Sequence, residues 1–318
     1  NREESLGEKN NTLNEILIQL DGAKSNDGVF VIGSTNFLSR LDKALIRPGR
    51  FDRKIEISLP SLEGRKQLID SISEKFDIES GLTDHIAKLT YGFSGAKLVN
   101  LFNQSAIIAI RRHHQKIQLD DIEEAIDEID MGIKTFKESD QDKRITAYHE
   151  IGHAVIGYLL KYCHPVHKVT VVPRANALGV TRTYPESESF NTSKEKLLDD
   201  ICMILGGRAA EKIFIGQIST GASGDIKMVT SRATKMVKEW GLSDDDLLTT
   251  LIYDSQDNLS NELRHRIEMA VYRIVSEQMQ RAERLLNEYK PFCEELTQLL
   301  LEKEEIFEQD IDKIAEKF

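Results

Sequence analysis

One pentapeptide restricts this chain more than any other feature: His149-Glu150-Ile151-Gly152-His153, set in an apolar run that continues Ala154-Val155-Ile156. The spacing predicts a helix, because residues four apart share one helical face and only there can His149 and His153 turn toward one point. Two imidazoles so spaced, with a carboxylate directly after the first, are the minimal equipment of a zinc peptidase: two metal ligands and Glu150 as a base for a water. A helix with two incidental histidines satisfies the same spacing, so the decision falls to the rest of the chain.

A catalytic zinc takes three protein ligands and keeps one position open. The third is not local, since the position six residues after the second histidine is Leu159. His164, beside Pro165, and His167, at the head of an apolar run, read as capping or structural histidines. Glu211, closing Gly206-Gly207-Arg208-Ala209-Ala210-Glu211, suits a ligand or a supporting position. Asp225 is the better candidate. It follows the small residues Thr220-Gly221-Ala222-Ser223-Gly224, which admit close backbone approach, and it opens a helical pattern. At that place a metal ligand and a plain helix N-cap fit equally well.

Upstream, residues 1–11 are polar and read as a loop, and 12–20 read as a helix. Residues 29–33, Val-Phe-Val-Ile-Gly, form a short continuous apolar run, the pattern of a buried parallel strand. It ends in Ser34-Thr35-Asn36, at the strand end where open α/β sheets bind ligands. Arg47-Pro48-Gly49-Arg50 forces a turn that presents two guanidinium groups, suited to phosphate or to surface ion pairs. A second strand is expected over 54–59. Apolar spacings of three and four then predict helices over 62–76, 83–89, 95–112 and 119–129. Residues 131–142 are polar and read as a linker. Beyond it come the H-E-x-x-H helix (144–162), strands over 166–173 and 179–183, and helices over 193–213, 225–239, 259–289, 292–302 and 309–317.

Composition excludes some functions. A formal net charge of −11 without a basic stripe makes nucleic acid a poor partner. Cys163, Cys202 and Cys293 lie far apart and form no C-x-x-C pair, which argues against a disulfide framework and for a reducing compartment. No apolar run approaches the roughly 20 residues that span a bilayer. A chain that opens at Asn1 rather than Met is expected to be a piece of a longer protein, with an upstream anchor open to it.

Taken together, Tyr148-His149-Glu150-Ile151-Gly152-His153-Ala154, Gly206-Gly207-Arg208-Ala209-Ala210-Glu211 and Thr220-Gly221-Ala222-Ser223-Gly224-Asp225 resemble the peptidase domain of the FtsH-like, membrane-anchored AAA zinc metalloproteases (peptidase family M41). So do Pro165-Val166-His167-Lys168-Val169 and Ala177-Leu178-Gly179-Val180-Thr181. Ser34-Thr35-Asn36 and Leu45-Ile46-Arg47-Pro48-Gly49-Arg50-Phe51-Asp52-Arg53 resemble the second half of an AAA ATPase module, and Gly92-Phe93-Ser94-Gly95-Ala96 its helical lid. The resemblance covers residues 12–314 in the family's order.

It implies an α/β AAA module remnant (1–60) with a helical lid (61–130), a linker (131–142), and a mostly α-helical zinc-metallopeptidase domain with a small β-sheet (143–318). It implies Zn on His149, His153 and Asp225, with Glu150 as catalytic base. Asn36 matches the sensor asparagine near the γ-phosphate. Arg47 and Arg50 match arginine fingers reaching the ATP of an adjacent subunit, and Gly95 and Ala96 lie near the adenosine. Leu178, Gly179, Val180 and Thr181 match the strand that captures an extended substrate. The implied activity is ATP-dependent degradation of unfolded or membrane proteins by a homohexamer held at a bacterial plasma membrane or an organelle inner membrane. An AAA chaperone with a vestigial protease domain and an ATP-independent zinc peptidase are the competing readings. The chain departs from the family pattern in two respects. Lys97 stands where the lid motif carries Asp, and no G-x-x-x-x-G-K-[ST] loop occurs, so ATP and Mg are cofactors expected of the complete protein.

Overall fold

The computed structural model describes residues 2–21, 28–135, 139–175, 177–185, 191–250, 252–253 and 259–318. They divide into two units, Asn1–Ser58 and Leu59–Phe318.

The first unit begins with helix α1 (Arg2–Asp21). The expected loop over 1–11 is therefore helical from residue 2 onward; Glu, Leu and Lys, all good helix formers, outweigh the lack of an apolar stripe there. Residues 29–33 and 54–59 are not strands. Phe30, Ile32 and Ile57 are each more than 90% exposed, the reverse of the expected buried sheet. A parallel strand exists only between neighbours that take its hydrogen bonds and cover its faces, and no such neighbour lies among the described residues.

The second unit opens with four helices, α2 (Leu62–Ser73), α3 (Thr83–Leu89), α4 (Gly95–Arg111) and α5 (Leu119–Met131). Ser61 and Ser94 accept from backbone N–H groups to cap α2 and α4. Leu98, Leu101, Phe102 and Ile108 recur at helical spacing on α4, and all are buried against Ile69, Ile86, Ile122 and Ile126. Gly132 ends α5 at φ 85°, a conformation that needs glycine. Lys134 then bridges to Arg174 in antiparallel sense. Residues 136–138 of the expected linker lie outside the described residues.

Helix α6 (Asp140–Leu159) carries the pentapeptide. Ser139 caps it, and Asp140 and Asp142 place acid in its first turn, where the helix dipole favours negative charge. From Glu150 to Gly157 every residue is buried, so α6 is the central helix of its layer. Strands β1 (Val166–Thr170) and β2 (Val180–Thr183) follow as expected. Then come α7 (Lys194–Ala210), which runs into a π-helical turn (Glu211–Ile215), α8 (Ser223–Lys238) and the short α9 (Asp246–Thr249). The long α10 (Asn261–Glu288), α11 (Lys290–Lys303), strand β3 (Glu305–Phe307) and α12 (Glu308–Ala315) complete the chain. Among the described residues the sheet has the order β2-β1-β3, antiparallel throughout, with Val169 opposite Thr181 on one side and Ile306 on the other. β3 has no counterpart in the sequence reading, because three residues are too few to display a period of two.

Two sets of contacts set α6 and the neighbouring sheet in place. A Cβ on Gly152 would lie 2.3 Å from the carbonyl oxygen of Gly206, so α6 and α7 cross where neither has a side chain. On the other side, β1 and β2 are tied to α5 through one carboxylate. Asp127, 1% exposed, receives Lys168 Nζ at 3.0 Å, Arg182 Nε at 2.9 Å and Arg174 Nη2 at 3.4 Å. Lys97, the departure from the lid pattern, pairs with Asp130 on α5 at 2.9 Å and lies over the Phe93 ring.

Candidate metal centre

His149, Glu150 and His153 come from the buried stretch of α6, and Asp225 comes from the first turn of α8. Asp225 stands inside that turn rather than at its cap, which is Ala222. Its side chain turns away from its own helix toward the histidines. His149 Nε2 and His153 Nε2 are 3.1 Å apart, and Asp225 Oδ2 lies 3.1 Å from the first and 3.4 Å from the second.

The other ring nitrogens each face an acceptor. His153 Nδ1 is 2.9 Å from the carbonyl oxygen of Met203, to which a protonated Nδ1 donates, and the Gly207 N–H lies farther from it, at 3.3 Å. His149 Nδ1 donates likewise to Glu211 Oε1 at 2.7 Å. Both Nε2 lone pairs and the Asp225 oxygen then face one another. Three acceptors this close repel unless a cation lies between them. Tetrahedral zinc with bonds of about 2.0–2.1 Å requires its ligand atoms roughly 3.3 Å apart, which the three observed separations match. The donor set thus fits zinc, with each histidine oriented by an acceptor behind it.

Without metal, burial alone would push the His149 imidazole down, but the hydrogen bonds with Asp225 and Glu211 outweigh it and raise it to about 10, so a metal ion must displace the Nε2 proton to reach that lone pair. Burial would raise the Asp225 and Glu211 carboxyls, yet their histidine partners, and for Glu211 the Ser219 N–H as well, hold both below the usual carboxylate range. The pocket is one in which negative charge persists and a cation is favoured.

Glu150 is 7% exposed and is held by β2: Thr181 Oγ1 lies 2.8 Å from Glu150 Oε2 and 2.9 Å from its carbonyl oxygen. Gly179 presses still closer, since a Cβ there would come within 2.8 Å of Glu150 Cγ. Leu178 is half exposed, Val180 and Thr181 belong to β2, and β2 is an edge of the sheet among the described residues. The outer edge of β2, beside Glu150, pairs with no strand among the described residues.

The other predicted residues lie elsewhere. Asn36 sits in an exposed bend and Arg47 is exposed, whereas Arg50 is engaged by the Asp21 carboxylate (Nε–Oδ1 2.6 Å) and the Ala44 carbonyl. Gly95 and Ala96 open α4 in the second unit. His167 is remote from the pair on α6 and bonds Glu123. Sequence reasoning left Glu211 undecided, and the structure places it behind His149. It overlooked the Met203 carbonyl, the Ser219 N–H that bonds Glu211 Oε2 at 2.6 Å, and the hydroxyl of Thr181 as a partner of Glu150. A backbone group carries no sequence signal; Thr181 was visible only as part of a strand.

Fold and site together fit an H-E-x-x-H metallopeptidase centre joined to a four-helix unit. Comparison with known families bears on each part. The peptidase family M41 model matches residues 137–314, the ATPase family associated with various cellular activities (AAA) matches 1–59, and the AAA+ lid domain matches 82–124. The chain belongs to peptidase family M41. It is 39% identical, over 97% of its own length, to the ATP-dependent zinc metalloprotease FtsH 2 of Methylacidiphilum infernorum, covering 50% of that protein. It is 38% identical over 98% of its length to FtsH 3 of Symbiobacterium thermophilum, covering 52%, and 39% identical over 96% to FtsH of Cupriavidus metallidurans, covering 49%. The chain therefore spans about half the length of these relatives.

Proposed function

We propose that this chain is the proteolytic part of an ATP-dependent zinc metalloendopeptidase that degrades unfolded or membrane proteins. The observation that carries the reading is the convergence of His149 Nε2, His153 Nε2 and Asp225 Oδ2 beside a tethered Glu150. His149, His153 and Asp225 would hold zinc, which supplies a Lewis acid that acidifies water and polarises a carbonyl. Glu211 and the Met203 carbonyl keep the histidine rings turned so that both Nε2 lone pairs point inward. Glu150 accepts the proton of the attacking water and returns it to the leaving amine. Thr181 donates to Oε2, which leaves Oε1 to take that proton. An extended substrate pairs with the backbone of Leu178, Gly179, Val180 and Thr181; recognition by main-chain hydrogen bonds gives broad sequence tolerance. Gly179, tight against Glu150, brings that backbone close to the base.

For the complete protein, the names of the relatives support coupling to ATP, with Mg as the expected partner of the nucleotide. In that reading residues 1–60 are the end of the AAA module, 61–130 its lid, 131–142 a linker and 143–318 the peptidase domain. Asn36 senses the γ-phosphate, Arg47 and Arg50 act on the ATP of an adjacent subunit in a homohexamer, and Gly95 and Ala96 lie near the adenosine. For Arg50 this requires exchanging its Asp21 partner for phosphate. No helix among the described residues is long and apolar enough to cross a membrane, so the proposed attachment to a bacterial plasma membrane or an organelle inner membrane falls to an upstream anchor.

The test is Glu150→Gln. It is expected to abolish casein cleavage while one zinc per chain is retained at this centre. Cleavage at the native rate would remove Glu150 from the mechanism.

A further inference from the structure

A second group of convergent ligands lies where the AAA-type helices meet the peptidase sheet. His85 is on α3, Glu123 on α5 and His167 on β1. One ring nitrogen of each histidine and one carboxylate oxygen of Glu123 all lie within 4.8 Å of one another. His167 Nε2 and Glu123 Oε1 are 3.2 Å apart, already at the separation that two ligands of one zinc adopt. The histidine rings stand edge to face with centroids 5.7 Å apart; the pair on α6 stands in the same relation at 4.7 Å.

Two observations separate this cluster from ordinary ion pairing. His85 Nε2 is buried and has no hydrogen-bond partner, a condition that is unfavourable unless something fills it. His167 is 7% exposed, fixed between the Tyr184 and Phe307 rings, and cannot swing out to water. A cavity of about 40 Å³, lined among others by Glu123, His167, Asp127 and Tyr184, adjoins the cluster. Such a volume holds a water, which a three-ligand site needs at its fourth position.

We propose that His85, Glu123 and His167 form a second transition-metal site, for zinc or an ion of like preference such as Co(II) or Ni(II). Two imidazoles and one carboxylate are a nitrogen-oxygen set that such ions accept and that Mg and Ca do not favour. The ion would clamp α3 and α5 to β1. β1 pairs with β2, and β2 holds Glu150 through Thr181. The clamp would therefore fix the helical unit against the sheet that positions the catalytic base, and it makes that coupling dependent on metal supply.

The experiment counts metal on the full chain after chelator treatment, with Zn(II) and Co(II) as probes. The native chain is expected to bind two equivalents, and His85→Ala and Glu123→Gln one each. A His149→Ala/His153→Ala background isolates the new site from the peptidase centre. It is expected to keep one equivalent, with the visible Co(II) spectrum of a histidine-carboxylate site, and to melt higher with metal than without. Glu123→Gln is nearly isosteric, so it answers the question even where His85→Ala fails to fold. A native chain that binds one equivalent, a second equivalent that survives Glu123→Gln, or a His149→Ala/His153→Ala chain that binds none would each overturn the proposal. The last result leaves the reading of the peptidase centre untouched.

Discussion

Gly207 offers the sharpest test of how the metal centre is made. It lies on α7 facing the two histidines, and a Cβ added there would come 2.6 Å from His149 Nε2 and Cε1 and from His153 Nε2. Ordinary contact begins at 3.4 Å, so in Gly207→Ala the ring atoms must retreat by about 0.8 Å. Zinc sites tolerate only about 0.2 Å in their bond lengths, and losing even an outer supporting contact typically weakens metal binding about 10–100-fold. A methyl aimed at both proposed ligand nitrogens should cost at least that much. Helix propensity acts in the opposite direction: alanine in place of a glycine inside a helix is worth up to about 1 kcal/mol. The metal-free variant should therefore keep its helical circular dichroism and melt near the native temperature while its zinc affinity falls. Titration against a chromophoric chelator reads the affinity directly. Gly224→Ala on α8 is the control, since a Cβ there meets nothing within 4 Å and should leave affinity unchanged. If Gly207→Ala binds zinc as tightly as the native chain, the close approach of α7 is not what shapes the site.

Other substitutions probe the supports. Thr181→Val removes the hydroxyl beside Glu150 Oε2 at nearly constant volume; kcat should fall about 10-fold or more while zinc content stays at the native level, and an unchanged kcat would show that the tether is dispensable. Asp127→Ala removes the partner that Lys168 and Arg174 share, but Lys168 keeps Glu305 and Arg174 keeps Glu124, so the second unit should lose about 1–3 kcal/mol in urea titrations; no measurable loss would mean that the remaining pairs replace Asp127 fully. The pH dependence of stability has a defined sign. Burial would raise the Glu124 and Asp130 carboxyls, but Arg174 and Lys134 on the first, and Lys97 and Arg182 on the second, hold both below their ordinary range. Their contribution is complete above about pH 5.5, where the unfolded carboxyls are ionised, and is lost as pH falls through the unfolded and then the depressed folded values. Metal-free melting temperatures should drop progressively below about pH 5, and less steeply in Glu124→Gln/Asp130→Asn; parallel curves for the two chains would exclude these groups as the cause.

How much of this could be read from the residues depends on the range over which each feature is determined. The H-E-x-x-H helix was legible because i and i+4 meet within one turn, whatever surrounds them. The four helices before it were legible for the same reason, as their apolar faces recur every three to four residues. Residues 29–33 carry an equally plain apolar pattern, yet they form no strand, because a strand is a relation between segments and periodicity describes only one of them. β3 escaped for the same cause, being three residues that become a strand only by pairing with β1.

The metal centre combines both kinds of information. Asp225 was visible only as an acid beside small residues, because what makes it a ligand candidate is the approach of α8 and α7 to α6. That approach depends on glycine twice. Gly152 and Gly206 let two backbones cross, and Gly207, one residue further on, leaves the space into which His149 and His153 turn. Immediately beyond, α7 widens into a π turn whose first residue is Glu211, 2.7 Å from His149 Nδ1. A regular α turn would rotate the following residues by a different angle, and with them the chain that returns Ser219 to Glu211. The doublet Gly206-Gly207 was conspicuous in the sequence while the π turn was invisible, yet they act together: the glycines bring α7 against the histidines, and the turn leads the chain back so that the Ser219 N–H holds the Glu211 carboxylate behind His149. Changing the register of that turn should draw Ser219 away from Glu211 without touching a proposed metal ligand, so the orientation of His149 rests on residues 206–219 as well as on its own helix.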